Sequence, residues 1–165
     1  MKLGIALGSN LGDRMGNLCA ARQAIVDLVG NTALLVSPVY ETDPVQCEPG
    51  AGKFLNAVLE IEYDGDPTEL LEHMIRIEEA LGRKRDHVRN TSRKIDIDLL
   101  YADELNVENE RLQLPHPRLR TRNFVLQPLA DVRPDLVLPG QTKTIRELLA
   151  QTEDSTKVIR FAEKW

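Results

Sequence analysis

The segment Arg93–Leu100, RKIDIDLL, alternates apolar and polar side chains without a break from Ile95 to Leu99. Such alternation marks a strand with one face in the core. Ile95, Ile97 and Leu99 form the buried face. Asp96 and Asp98 share the other face, about 6.5–7 Å apart along the backbone. Two carboxylates so placed repel each other unless cations stand over them. Paired metal ions in phosphoryl-transfer sites lie about 3.5–4 Å apart, and Mg2+ takes oxygen ligands at about 2.0–2.1 Å. Two aspartates leaning together can therefore hold two such ions. The competing reading is a solvated strand face partnered by Arg93 and Lys94, and for a D-x-D motif alone it is the stronger one.

The residues just upstream change that balance. Arg83–Lys94 holds six basic residues in twelve (Arg83, Lys84, Arg85, Arg89, Arg93 and Lys94), with Asp86 as its one acid. The chain as a whole carries a formal charge of −5, so this is a local concentration of positive charge. Guanidinium groups pair bidentately with phosphate oxygens. A basic loop entering a carboxylate pair supplies both halves of a metal–polyphosphate site. Downstream, Leu114-Pro115-His116-Pro117 fixes a histidine between prolines, ahead of Arg118, Arg120 and Arg122. A histidine beside arginines tends to stay neutral and can hydrogen-bond a phosphate or nucleotide, or serve only the local structure.

Further out, Lys2–Leu7 reads as a strand, and Gly8–Asp13 as a tight turn capping a helix that runs to about Val29. The Gly8–Asp13 turn lacks the Lys-Ser/Thr ending of a Walker A loop. Leu34–Glu41 and Phe54–Tyr63 suit strands, and the loop Thr42–Lys53 between them, with two prolines and two glycines, is long enough to suggest function. Asp66-Pro67 starts a helix carrying Leu70, Met74, Ile77 and Leu81, which Gly82 ends. Val107–Leu112 suggests a small hairpin, and Thr144–Glu147 is a capping box. The order strand, helix, strand, strand, helix, strand predicts an α+β, ferredoxin-like antiparallel sheet with two helices on one face, extended by strands and helices after residue 101.

The 165 residues suit a single domain, with 42% hydrophobic and 28% charged residues, as in soluble globular proteins. Aromatic residues make up 4%, too few for single-stranded nucleic-acid stacking platforms, and the acidic balance argues against a nucleic-acid or anionic-lipid partner. No stretch reaches membrane-spanning length. Cys19 and Cys47 match no metal or redox spacing. A cytoplasmic monomer acting on small molecules is expected.

Taken together, Leu7–Arg14 (LGSNLGDR), Tyr40–Pro44 (YETDP), Phe54–Ala57 (FLNA), Arg93–Leu100, Leu114–Pro117 (LPHP) and Arg122–Leu126 (RNFVL) resemble, in order and spacing, the 6-hydroxymethyl-7,8-dihydropterin pyrophosphokinases of folate biosynthesis. The resemblance covers nearly the whole chain. It implies transfer of the β,γ-pyrophosphoryl group of ATP to the hydroxymethyl oxygen of a reduced pterin, leaving AMP. It implies that Asp96 and Asp98 hold two Mg2+ ions, with Asp98 also catalytic. Arg83, Arg85, Arg93, His116 and Arg122 would contact ATP or the transferring group, and Glu78 would lie near the nucleotide. Thr42, Asp43 and Val45 would line the pterin pocket, Asn56 would hydrogen-bond the ring, and Phe54 and Phe124 would sandwich it. Two features depart from the family pattern. Thr91 stands where the family has Gly or Ala and Asn90 where a Trp often precedes it, and Pro117 stands where Tyr is frequent. Two other classes compete: a metal-dependent nucleotidyl transferase, which would release pyrophosphate, and a ferredoxin-like RNA-binding module, which would turn over no ATP.

Overall fold

A computed structural model of the chain describes residues 1–30, 35–45, 47, 49–83 and 92–165. Strand β1 (Lys2–Ser9) leads to helix α1 (Arg14–Val29), then β2 (Leu35–Val36), β3 (Val39–Thr42) and β4 (Phe54–Glu62). Helix α2 (Pro67–Ala80) precedes β5 (Asp96–Ala102) and a two-stranded ribbon of β6 (Val107–Glu108) and β7 (Gln113–Leu114). A 3-10 turn (Leu119–Thr121), α3 (Asn123–Val132), α4 (Ile145–Gln151) and β8 (Val158–Ala162) follow. The main sheet runs β5-β1-β4-β3-β8, with β2 also on β4, and every pairing is antiparallel.

Local chemistry sets the boundaries. Asp13 caps α1 by accepting from Gly16 N at 3.0 Å, and Gly30 ends it with φ +69, a left-handed conformation that glycine adopts without steric cost. Asp66 accepts from Thr68 N, and Pro67 takes the first turn of α2, where its missing N–H is no loss. The Thr144–Glu147 capping box is formed in both directions.

The strand expected over Leu34–Glu41 is two strands, with Leu34 outside the described residues. Pro38 has no N–H to give the ladder. Ser37 compensates: its N–H donates to Val58 O and its Oγ accepts from Val58 N. The two helices expected on one face, α1 and α2, share it, and the helices after residue 101, whose face the sequence left open, cover the other. Leu18, Ile25, Leu70 and Met74 of α1 and α2 pack on Leu3, Ile5, Leu7, Leu59, Ile97 and Leu99. On the opposite face Val125, Leu126 and Leu129 of α3, with Ile145 of α4, cover Val58, Leu100 and Tyr101. A bulge in β5 puts Leu100 between the residues paired with Gly4 and Ile5 and turns both Leu100 and Tyr101 to the α3 side. Strand β8, also not read from the sequence, extends the sheet beyond β3. Among the described residues no helix is long and apolar enough to cross a membrane.

Candidate active site

The strand register brings the site together. Asn56 of β4 lies opposite Gly8 of β1, and Gly8 opposite Asp96 of β5; one step on, Val58, Ala6 and Asp98 form a parallel row. Asn56 and Asp96 thus stand two strand spacings apart, roughly 10 Å. Between them β1 presents the small residues Ala6 and Gly8, which with Leu7 line a cavity. A Cβ at Gly8 would sit 3.3 Å from Asn56 Oδ1 and 3.9 Å from Asp96 Cβ, so glycine keeps the floor low there.

At one end of this cavity lie Thr42, Asp43, Val45, Phe54, Asn56 and Phe124, every residue singled out from the sequence for the pterin. Asn56 Nδ2 donates to Thr42 Oγ1 at 2.8 Å with both residues buried, which leaves Oδ1 to accept from a ligand. The loop leaving Thr42 is tied at its mouth: Lys53 bridges Asp43 (3.5 Å) and Glu41 (3.8 Å), and Arg14 binds Glu41 and Lys53 O, each at 2.9 Å. The Arg122 guanidinium stands 5.3 Å from the centre of the Phe124 ring.

At the other end lie Arg83, Arg93, Asp96, Asp98, Arg118 and Arg122. Asp96 accepts from Arg83 at 2.7 Å and from Arg93 at 3.0 Å. Arg83 is also paired with Glu78, whose carboxylate accepts from Ile97 N at 2.7 Å. Glu78 is 5% exposed and sits behind Arg83, away from the cavity wall; burial raises its pKa to about 7 against the pull of Arg83. Among the described residues nothing donates a hydrogen bond to Asp98, and burial followed by repulsion from Asp96 pushes it up to about 6. Arg122, Arg118 and Arg83 oppose that rise. Arg85, Asn90 and Thr91 lie outside the described residues.

His116 lines a second cavity with Leu71, Leu99, Arg111 and Gln113, and Asp98 lines both cavities. Its backbone N–H donates to Leu100 O at 2.7 Å, and its Nδ1 accepts from Arg118 N at 3.2 Å. An accepting Nδ1 places the proton of a neutral ring on Nε2. Burial, then Arg122 and Arg118, lower the His116 pKa to about 4, so the ring is neutral near pH 7.

Sequence reasoning missed the cavity floor and one fastening. The turn after β1 does more than cap α1. Asn10, 6% exposed, accepts from Arg93 N at 2.8 Å and donates to Ser92 Oγ and Gly52 O, each at 3.3 Å. It thereby joins the base of the arginine segment to the end of the Thr42–Lys53 loop. The available signal was the spacing Gly4-x-Ala6-x-Gly8, small residues on one face of a strand.

Comparison with known proteins gives a consistent picture. Residues 4–134 match the family model of 7,8-dihydro-6-hydroxymethylpterin-pyrophosphokinase. The Bacillus subtilis 2-amino-4-hydroxy-6-hydroxymethyldihydropteridine pyrophosphokinase is 46% identical over 128 residues, 78% of this chain and 75% of that protein. The Haemophilus influenzae protein of the same name is 40% identical over 160 residues, 95% of this chain and 96% of its own length. The crystal structure of Plasmodium falciparum HPPK-DHPS with pteroate shares the fold at a TM-score of 0.71 and 15% identity. That match covers 91% of this chain, which spans 42% of the solved one.

Proposed function

The chain belongs to the 7,8-dihydro-6-hydroxymethylpterin-pyrophosphokinase family, and from that premise we propose how its own residues divide the reaction among them. The protein is an ATP-dependent pyrophosphokinase of folate synthesis, moving the β,γ-pyrophosphoryl group of ATP to the hydroxymethyl oxygen of the reduced pterin. In our reading the first cavity takes the pterin, its ring between Phe54 and Phe124 and its edge on Asn56 and Thr42. A flat heterocycle calls for both stacking faces and in-plane hydrogen bonds. The second cavity takes the nucleoside, with neutral His116 as a donor beside the phosphates. The observation that carries this reading is that Asp98 lines both cavities, so the triphosphate leaving one and the hydroxymethyl group of the other meet over β5.

The acceptor oxygen attacks the β-phosphorus in line, and the bond from that phosphorus to the bridging oxygen of AMP breaks. Asp98, the acid common to both cavities, can take the hydroxyl proton. Arg83, Arg93 and Arg122 offset charge on the transferring phosphates and on departing AMP, and Arg85 joins them in the proposal. Glu78 acts by holding Arg83 and the backbone of Ile97. Mg2+ fits this donor set. Among the described residues no group of three His, Cys, Asp or Glu side chains is gathered, and Mg2+ is commonly held by one or two carboxylates with substrate phosphates. Asp96 and Asp98 would hold two such ions, which when bound supply charge neutralisation of the phosphate oxygens.

We also read β1, α1, β2–β3, β4, α2 and β5 as a ferredoxin-like core within one domain, and the protein as a cytoplasmic monomer. The test is one assay with protein, Mg·ATP and the reduced hydroxymethylpterin. AMP and pterin pyrophosphate in equal amounts are expected. Release of free pyrophosphate would favour a nucleotidyl transferase, and RNA binding without ATP turnover a binding module.

A further inference from the structure

Four described arginines face the first cavity, and they are not equivalent. Arg83 is held by Glu78 and Asp96, and Arg93 by Asp96. Arg122 and Arg118 form no ion pair with any described residue. Arg122 leans toward the pterin end through its contact with Phe124. Arg118 projects from a fixed base. Its N–H donates to His116 Nδ1, its carbonyl accepts from Thr121 N and Oγ1 at 3.3 Å each, and the next residue, Leu119, is fully buried. The backbone is held, while the exposed guanidinium forms no side-chain hydrogen bond or ion pair with any described residue.

Two cations at one cavity wall, neither in an ion pair with a described residue, repel each other; Asp98 and Asp96 offset this in part for Arg122, and a bound anion would offset it further. After burial, Arg118 is the largest influence lowering the Arg122 pKa. Position decides which anion. Arg118 lines the cavity that receives the acceptor and is absent from the wall of the His116 cavity, where the nucleoside is placed. The part of ATP that reaches it is the part that crosses. Arg120, two residues on, lines a separate cavity with Val107 and Leu138 and so gives a control of equal charge.

We propose that Arg118 is a further phosphate-binding residue, closing with Arg122 on the pyrophosphoryl group both on ATP and on the product. This rests on the reaction proposed above. No covalent step is added. The guanidinium donates hydrogen bonds to non-bridging oxygens that stay with the transferred group, so it holds the product diphosphate after AMP has left.

The test is calorimetric binding, in the presence of Mg2+, of AMP and of an ATP analogue with a methylene group between its α- and β-phosphorus atoms. Wild type, Arg118→Ala, Arg118→Lys and Arg120→Ala are compared at one salt concentration. Arg118→Ala should bind the analogue about tenfold more weakly, as for loss of one charge-assisted contact, and AMP unchanged. Arg118→Lys should recover part of the loss, and Arg120→Ala should match wild type. Equal weakening of AMP and analogue by Arg118→Ala, no weakening of either, or an equal effect of Arg120→Ala would each overturn the assignment. Turnover by the same wild-type preparation separates the two levels. If wild type forms AMP and Arg118→Ala binds the analogue normally, only the role of Arg118 fails; if wild type forms no AMP, the reaction itself fails.

Discussion

At the scale of single residues, the site works through groups left with spare hydrogen-bonding capacity. Asn56 donates its amide N–H to Thr42, and no described residue donates to its side-chain oxygen. Asn56→Ala should weaken pterin binding by about 1–3 kcal/mol, the cost of an unmet buried partner, while leaving the affinity for the ATP analogue within twofold. Calorimetry with each ligand separately would check this, and equal losses for both would mean Asn56 is only structural. His116 makes a pH prediction. Its folded pKa, about 4, lies below its ordinary 6.5, so between these values the unfolded chain binds a proton that the folded chain does not. Stability from this group is therefore full above pH 6.5 and falls as the pH drops toward 4. Glu78 and Asp98, raised to about 7 and about 6, slope the other way, their contributions falling as pH rises. The net curve hides His116, so the informative quantity is a difference. Urea unfolding of wild type and His116→Asn from pH 4.5 to 7.5 should show wild type losing ground to the variant below pH 6.5. A difference that stays constant with pH would show that His116 is not held neutral by its surroundings.

At the scale of elements, β1 is where the site's shape originates. Gly4, Ala6 and Gly8 share the face toward α3, and the two glycines are small for different neighbours. A Cβ on Gly4 would lie 2.2 Å from the Tyr101 ring, whereas one on Gly8 would meet Asn56 Oδ1 at 3.3 Å on the cavity floor. Gly4→Ala should therefore destabilise the fold by about 1–3 kcal/mol through overpacking. Gly8→Ala should leave the unfolding midpoint nearly unchanged and raise the KM for the pterin. Chemical denaturation and steady-state kinetics on the two variants separate these effects; interchangeable phenotypes would contradict the assignment of Gly8 to the cavity. The same strand shows what a sequence can and cannot reveal. The alternation in RKIDIDLL was enough to place Ile97 and Leu99 inward and Asp96 and Asp98 outward, because a period of two is a purely local property. Which layer lies on the carboxylate side was not legible, since it depends on α3, whose pattern is interrupted by Pro128. Thr42, Phe54, Asn56 and Phe124, proposed to hold the pterin, follow from the resemblance alone. Ala6, with no side-chain chemistry of its own, drew no notice, and Gly8 reads from the sequence as part of the turn after the strand, whereas β1 runs on to Ser9 and its register sets both between Asn56 and the aspartates. Strand β8 escaped because it is five residues long with three of them exposed, too weak a pattern to read alone.

At the scale of the whole molecule, one sheet separates two apolar layers, and the site lies on the face covered by α3. Strands β1, β4 and β5 send residues to both layers: Leu59 and Ile97 to one, Val58 and Leu100 to the other. A buried polar clasp reinforces the α3 side, where Glu60 of β4 accepts from Tyr101 of β5 at 2.7 Å and binds Arg133 just after α3. Neither layer can open without uncovering strands that complete the other, so the two should unfold together. Met74→Ala on the α2 side and Leu129→Ala on the α3 side, both fully buried positions, should each cost about 2–5 kcal/mol. Each should shift a single transition, seen identically by far-ultraviolet circular dichroism and by Trp165 fluorescence. Trp165 reports usefully because its indole N–H donates to Ser37 O, tying the last residue to the segment between β2 and β3. If Leu129→Ala instead produced a separate early transition with the Met74 layer intact, α3 and α4 would be an independent flap over the site. The Asp96–Asp98 pair would then be exposed before the rest of the sheet, and loss of activity would precede loss of the fluorescence signal. Coincident transitions in both variants would mean that the catalytic face is as stable as the molecule that carries it.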